Sequence, residues 1–240
     1  MGPAATADFL SKLVAATPAT VESDYIPVVV WSDPRIPDRT AALLGRGPTP
    51  VPAMLDGIAR LVGAGADLIA IPCNTAHAFL PELRAAADVE ILDMIQITVG
   101  RLRDVGTVGI LSTEGTRRAG LFAAACRARG LVPLELDEQE QNALSDRAIG
   151  LVKNGQPGEI AEELIRRAAA LLKERGADVV IAGCTEIPLV AERARHVLPI
   201  VDATECLAEA AVSRFLPNGS QRAEQGRHGQ LDGMNGRFGD

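Results

Sequence analysis

Two cysteines in this sequence sit at matched places. Cys73 follows the apolar run from Ala66 to Pro72 and precedes Asn74 and Thr75, while Cys184 follows the run from Ala177 to Gly183 and precedes Thr185 and Glu186. A thiol placed where a strand ends and a helix begins meets unpaired backbone N–H groups and the positive end of a helix dipole, and both lower its pKa. Asn74, Thr75 and Thr185 are of the types that cap such helices or bind an anion there. A lone free cysteine is commonly inert packing; a pair at corresponding places is not explained so easily. Two equivalent thiols suit the inversion of a tetrahedral carbon, in which one group removes a proton from one face and the other returns a proton to the opposite face. Helix N-termini would stabilise the negative charge of the planar intermediate. Sulfurs touching one carbon from both sides would stand roughly 7–8 Å apart, from contacts of about 3.5–4 Å each.

Other groups carry weaker signals. Cys73 and His77 are spaced i, i+4, but a structural zinc site needs four ligands in paired spacing, and Cys126, Cys206 and His196 stand singly. No metal is expected, and His77 reads as packing near the cleft. Gly63-Ala64-Gly65 precedes a strand rather than following one, and no Walker pattern occurs, so neither nucleotide fingerprint is present. The segment Ser112–Thr116 is either an anion-holding turn or a plainly N-capped one. Arg35 and Arg39 lie in the Pro-broken stretch 31–40, where each is either a clamp for a carboxylate or surface charge. Lys153, one of only three lysines, reads on chemistry alone as a solvated charge.

The elements that position these residues alternate. Short β-branched runs predict strands at Ile26–Trp31, Asp67–Ile71, Glu90–Leu92, Thr107–Leu111, Val132–Leu136, Asp178–Ala182 and Leu198–Val201. Helix-period stretches lie at Ala5–Ala16, Pro52–Gly63, His77–Ala87, Thr116–Arg129, Pro157–Arg175, Ile187–Ala194 and Thr204–Phe215. Alternation of this kind predicts an α/β fold with parallel sheets covered on both faces, its functional groups beyond the C-terminal strand ends. The chain also repeats itself. Gly65 to Cys73 matches Gly176 to Cys184 without a gap, an offset of 111 residues. Met54, Ile58 and Leu61 of the preceding helix fall opposite Ile165, Ala169 and Leu172, and each copy later reaches a short strand ending in Asp93 or Asp202. Two similar α/β halves facing each other across a pseudo-twofold axis, with a cleft between them, are the arrangement this repeat would allow.

Composition narrows the partners. With aromatics at 3% the core must be aliphatic, and base stacking on aromatic rings is disfavoured. A net charge of −7 without a basic tract argues against tracking a phosphate backbone, so no nucleic acid is expected. No apolar run approaches the ~20 residues of a membrane span, and MGPAATADFL has neither a basic start nor a long apolar stretch, so a cytoplasmic protein with no membrane association is expected. Four widely spaced cysteines without a CxxC then suggest free thiols. The Gly-, Gln- and Arg-rich stretch 217–240 predicts a disordered tail, with no role for His228.

Taken together, MGPAAT, IPDRT, IPCNTAH, GILST, the Lys153-Asn154-Gly155 segment, GCTEIPL and the Asp202-Ala203-Thr204 turn resemble the aspartate/glutamate racemase superfamily, specifically its aspartate racemase branch, from Met1 to about Phe215. The resemblance implies two similar Rossmann-like α/β domains with parallel sheets, 1–95 plus 204–216 and 96–203, often in a homodimer. It implies a small acidic amino acid, aspartate and/or glutamate, as substrate, and no pyridoxal phosphate or other cofactor. Cys73 and Cys184 would be the acid/base pair, Cys184 serving the L-enantiomer and Cys73 the D-enantiomer. Asn74, Thr75 and Thr185 would hold the α-carboxylate, Arg39 and Lys153 the side-chain carboxylate, and Met1, on the Met of a Gly-Gly-Met-Gly-Pro turn, would lie with the substrate-binding residues. The family's first strand and two glycines precede that Met, so the first domain is expected to lack an inner strand, with the DNA upstream of Met1 the place to look for it. Related chemistries compete: arylmalonate decarboxylases keep only the second cysteine, maleate isomerases use one cysteine as a nucleophile, and hydantoin racemases share the fold. A catalytically silent binder of acidic metabolites is the alternative from another class.

Overall fold

The computed structural model describes residues 1–216; the predicted tail 217–240, with His228, lies outside the described residues. Strands β1 (Leu68–Ile69) and β2 (Glu90–Ile91) form a two-stranded parallel sheet. Strands β3 (Thr107–Ser112), β4 (Val132–Glu135), β5 (Val179–Gly183) and β6 (Ile200–Asp202) form a second parallel sheet in the order β4-β3-β5-β6. The helices are α1 (Pro3–Ala16), α2 (Arg39–Leu43), α3 (Val51–Gly63), α4 (Leu80–Ala85), α5 (Met94–Gly100), α6 (Glu114–Arg118), α7 (Leu121–Ala128), α8 (Glu138–Glu140), α9 (Arg147–Lys153), α10 (Glu159–Glu174), α11 (Glu192–Arg195) and α12 (203–216). None is long and apolar enough to cross a membrane.

Strand periodicity explains the layers. In β5, Val180 and Ala182 point to one face of the sheet and Val179 and Ile181 to the other. The first pair packs with α9, α10 and α11, through residues such as Val152, Ile165 and Ala194. The second pair packs with Val108 and Ile110 of β3 against α5, α7 and α12, where Phe9 and Leu13 of α1 join. Both faces are buried, which is why β3 and β5 read as continuous apolar runs rather than alternating ones. A third core joins α3 and α4 to β1 and β2, around Met54, Ile58, Leu83 and Ile91.

Several predicted elements need correction. Residues 26–30 have no regular secondary structure and join no ladder, and Val28, Val29 and Val30 are 46, 52 and 45% exposed. Of Asp67–Ile71 only Leu68–Ile69 is paired. A strand is defined by its neighbours as much as by its residues, and between these two segments lies a cavity of about 590 Å³. The stretch predicted as one helix from Thr116 is broken into α6 and α7 by Gly120, whose φ of +65° suits glycine. The stretches after each cysteine are 3₁₀ turns, Asn74–Phe79 and Ile187–Val190, leading to α4 and α11. Helices α2, α5 and α9 are additions the sequence periodicity did not indicate, with α9 entered through a π-helical turn at Gln141–Asp146. Both repeated aspartates prove to be helix N-caps. Asp93 accepts from the N–H groups of Ile95 and Gln96, and Asp202 from those of Thr204 and Glu205. Asp202 also pairs with Lys12 at 2.7 Å, tying α1 to the end of β6.

Candidate active site

The residues singled out in the sequence converge. Cys73 and Cys184 line a single pocket, and around them stand Met1, Arg39, Asn74, Thr75, Lys153 and Thr185. Asp38, Thr40, Thr113 and Glu186 complete its wall. Its volume, about 10 Å³, is room for about one water. This is a closed site, and admitting an amino acid requires its walls to part. The far larger cavity beside β1 is mostly aliphatic. Among the described residues Asp67 is the one titratable side chain on its wall.

Cys184 is buried directly beyond β5, and its thiol donates to Glu186 Oε2 at 3.0 Å. Thr185 Oγ1 donates to the same oxygen at 3.2 Å. Burial pushes the Cys184 thiol well above its ordinary pKa, the adjacent Glu186 carboxylate adds to the rise, and the Lys153 ammonium opposes it. The expectation of an acidified thiol at a helix start is therefore overturned for Cys184. No α-helix begins there, and desolvation of the charged form outweighs what backbone donors supply. Lys153 answers from the other side. Burial acts to lower its pKa, but the acidic groups about it, Cys184, Glu186, Cys73 and Asp38, together outweigh burial and hold it above the usual lysine value. Its side chain is exposed by area, so we read Lys153 as a charged group at the pocket rim facing inward rather than an enclosed one.

The first cysteine is fixed by its neighbours. His77 Nε2 accepts from the Met94 N–H at 3.0 Å, which leaves Nδ1 as the protonated nitrogen, donating to the Cys73 carbonyl at 3.0 Å. Burial lowers the His77 pKa, in keeping with a neutral ring engaged at both nitrogens. His77 is thus a pin between the Cys73 turn and the start of α5.

Two side chains of the pocket wall hold buried polar atoms with no protein partner. Asn74 is 2% exposed, and neither its Oδ1 nor its Nδ2 is hydrogen-bonded. Arg39 is buried, with Nη1 donating to the Ile36 and Pro37 carbonyls at 3.0 and 2.9 Å while Nε finds no acceptor. Asp38 fixes the start of α2 by accepting from the Ala41 N–H at 2.7 Å. The structure separates the two arginines the sequence left alike: Arg35 lies in solvent, paired with Asp33. Thr75 closes a triangle of buried hydroxyls with Thr113 at 3.0 Å and Thr116 at 2.8 Å, the last two 3.0 Å apart. Thr113 also caps α6, accepting from the Thr116 N–H at 3.2 Å, so the Ser112–Thr116 segment is both a capped turn and a pocket wall. Cys126 and Cys206 lie apart, buried and free, with burial raising their thiols to about 11 and about 12. Among the described residues no group of three His, Cys, Asp or Glu side chains is arranged to hold a metal.

Sequence reasoning gave no role to Glu186. The signal was there, in a lone acid set within the otherwise uncharged run Cys184–Val190, where only a partnered carboxylate is tolerated in a core.

The sequence model of the Asp/Glu/hydantoin racemase family matches residues 1–211. A broad-specificity amino-acid racemase of Bacillus subtilis, RacX, is 26% identical over 90% of this chain and 95% of its own. The glutamate racemase of Desulforudis audaxviator is 29% identical over 80% of this chain and 73% of its own. Among solved structures, the aspartate racemase of Picrophilus torridus superposes with a TM-score of 0.78 at 30% identity, covering 89% of each chain. An aspartate racemase homologue from Pyrococcus horikoshii shares the fold, with a TM-score of 0.69 at 21% identity over 88% of this chain and 93% of that one.

Proposed function

This chain belongs to the Asp/Glu/hydantoin racemase family, and from that membership and its pocket we propose that it racemises an acidic amino acid by a two-base mechanism, without a cofactor. The observation that carries the reading is the meeting of Cys73 and Cys184, matched across the 111-residue repeat, on one pocket. In one direction the thiolate of one cysteine takes the α-proton, breaking the C–H bond. The thiol of the other gives its proton to the opposite face, forming the new C–H bond. Each cycle exchanges the two protonation states, so the reverse reaction starts where the forward one ends. Cys184, protonated and donating to Glu186, is in the form that returns a proton; the resemblance of its motif makes L-amino acid the product of that step. Asn74, Thr75 and Thr185 would hold the α-carboxylate. Arg39 and Lys153 would hold the side-chain carboxylate, Arg39 from α2 in the first half and Lys153 from the end of α9 in the second. Met1 would close the pocket beside them. A substrate gripped from both halves keeps the site shut, which excludes water and strengthens each charge interaction. The same symmetry supports domains of 1–95 plus 204–216 and 96–203, and we carry a homodimer with this reading.

The experiment is solvent deuterium incorporation at the α-carbon of aspartate and glutamate, with Cys73→Ala and Cys184→Ala compared. Each variant should lose racemisation and keep its fold, while the remaining thiol exchanges the α-proton of one enantiomer only. Near-normal racemisation by either variant, or no deuterium uptake by the unaltered protein, would refute the two-base reading.

A further inference from the structure

Resting on the racemisation read above, we propose that Glu186 receives the substrate's α-ammonium group, so that the pocket selects α-amino acids over acids of the same carbon skeleton that carry no ammonium. Two bases on opposite sides of one carbon leave three other substituents, and each needs an anchor if the hydrogen alone is to change sides. The α-carboxylate has Asn74, Thr75 and Thr185, and the side-chain carboxylate has Arg39 and Lys153, which leaves the ammonium. It needs an acceptor of hydrogen bonds, and a carboxylate serves best. Among the described residues the pocket wall has two, Asp38 and Glu186. Asp38 is exposed, and its Oδ1 is already held by the Ala41 N–H at the start of α2. Glu186 is 4% exposed.

Burial without a cation marks Glu186 out. Among the described residues one other acidic side chain is buried, Asp202, and it is fully matched: Lys12 pairs with it at 2.7 Å, and the Thr204 and Glu205 N–H groups donate to its Oδ1. Glu186 has no ion pair among the described residues. Both side-chain hydrogen bonds that reach it, from Cys184 Sγ at 3.0 Å and Thr185 Oγ1 at 3.2 Å, end on Oε2. A thiol is a weak donor, and a buried carboxylate so poorly matched is destabilising until a positive charge arrives to pair with it. Lys153 acts on Glu186 from the pocket rim without forming a salt bridge. Oε1 lies beside Gly2, where a Cβ would stand 3.1 Å away, so the absent side chain leaves this oxygen room. The repeat points the same way. At the offset of 111 Glu186 stands at Thr75, so a charge in one half answers a neutral hydroxyl in the other. Matched thiols serve both enantiomers alike, whereas the ammonium is a single group, and a single carboxylate meets it. That carboxylate also keeps the amine protonated, and a protonated amine withdraws electrons from the α-carbon and eases loss of its proton.

Direct binding tests this without depending on turnover. Aspartate and 2-hydroxysuccinate share a skeleton and both carboxylates, and differ in ammonium against hydroxyl. Calorimetric titration of the unaltered chain should show aspartate bound at least about tenfold more tightly, the weight of one charge-assisted hydrogen bond. Glu186→Gln keeps the size of the side chain and removes its charge. It should weaken aspartate at least about tenfold and 2-hydroxysuccinate little, so that the preference is lost. A substitution that merely loosens the pocket weakens both ligands together and leaves their ratio alone. Glu186→Asp, which keeps the charge, should retain more of the preference than the glutamine variant. Equal affinities for the two ligands in the unaltered chain would overturn the assignment, whether or not any variant folds, and so would a ratio unchanged in Glu186→Gln. With α-deuterium still taken up from solvent by the unaltered chain, either result removes Glu186 alone and leaves the racemase reading standing. Binding of neither ligand, with no deuterium uptake, removes both.

Discussion

Asn74 offers a test in which activity and stability move in opposite directions. Its carboxamide is buried, lines the active-site pocket, and makes no hydrogen bond to protein through either Oδ1 or Nδ2. A buried polar group left unpaired costs about 1–3 kcal/mol. Asn74→Leu keeps the side chain's heavy-atom count and branching and removes both polar atoms, so the variant should be more stable by up to about 2 kcal/mol, a rise in Tm of up to roughly 4–8 °C for a chain of this size. The amide Nδ2, read as a donor to a substrate carboxylate, would supply a charged hydrogen bond of ~1.5–3 kcal/mol, so kcat/KM on aspartate or glutamate should fall about 10- to 150-fold. Thermal unfolding and steady-state racemisation on one preparation check both arms. A leucine variant that is less stable and has unchanged kcat/KM would show that the amide is satisfied within the folded protein, and the reasoning that it is held ready for substrate would fail.

Three more outcomes are expected. Arg39→Ala and Lys153→Ala should each lower kcat/KM on acidic substrates at least about tenfold, through loss of a charged hydrogen bond of ~1.5–3 kcal/mol, and should affect alanine turnover far less; equal losses on all three substrates would argue against side-chain recognition. Gly183→Ala places a Cβ 2.7 Å from Phe122 Cε2 and 3.1 Å from the Leu111 carbonyl, just before Cys184, and overpacking of this kind should cost about 1–3 kcal/mol, read as a lower Tm with activity falling in step as Cys184 is displaced. His77 is held neutral with its folded pKa below the ordinary value of about 6.5, so the unfolded chain binds the extra proton first; the stability it contributes is present above that pH and is lost as pH falls below it, and denaturant midpoints between about pH 7 and 5 should flatten in His77→Gln if this ring is the cause.

Much of this arrangement was legible in the residues. The ungapped repeat around Cys73 and Cys184 located both thiols, and the aliphatic runs of β3 and β5 were readable because each is covered on both faces. Residues 26–31 misled for a physical reason: valine content reports a preference for pleated surroundings, and here residues 26–30 join no ladder among the described residues. The acidity of Cys184 misled similarly. Local sequence shows a strand-to-turn junction, but the sign of the shift is set by burial and by Glu186, which folding brings to the sulfur. Arg35 and Arg39, four residues apart in one loop, were alike on chemistry alone and only the resemblance singled out Arg39; the fold buries Arg39 and leaves Arg35 exposed.

The hydroxyl triangle of Thr75, Thr113 and Thr116 sets a condition on how the pocket receives a negative charge. Three hydroxyls own three protons, and a closed ring spends one on each side. In that state the ring turns only lone pairs toward the pocket, and an arriving carboxylate meets no proton from it. Breaking one side and rotating one hydroxyl releases a single proton toward the anion, at the loss of one neutral hydrogen bond and the gain of a charge-assisted one roughly twice as strong. Because Thr75 rides on the Cys73 turn and Thr116 on α6, that rotation also loosens the tie between the two segments. Reorienting one hydroxyl proton toward an anion and loosening the turn that carries Cys73 are thus coupled through the same three side chains.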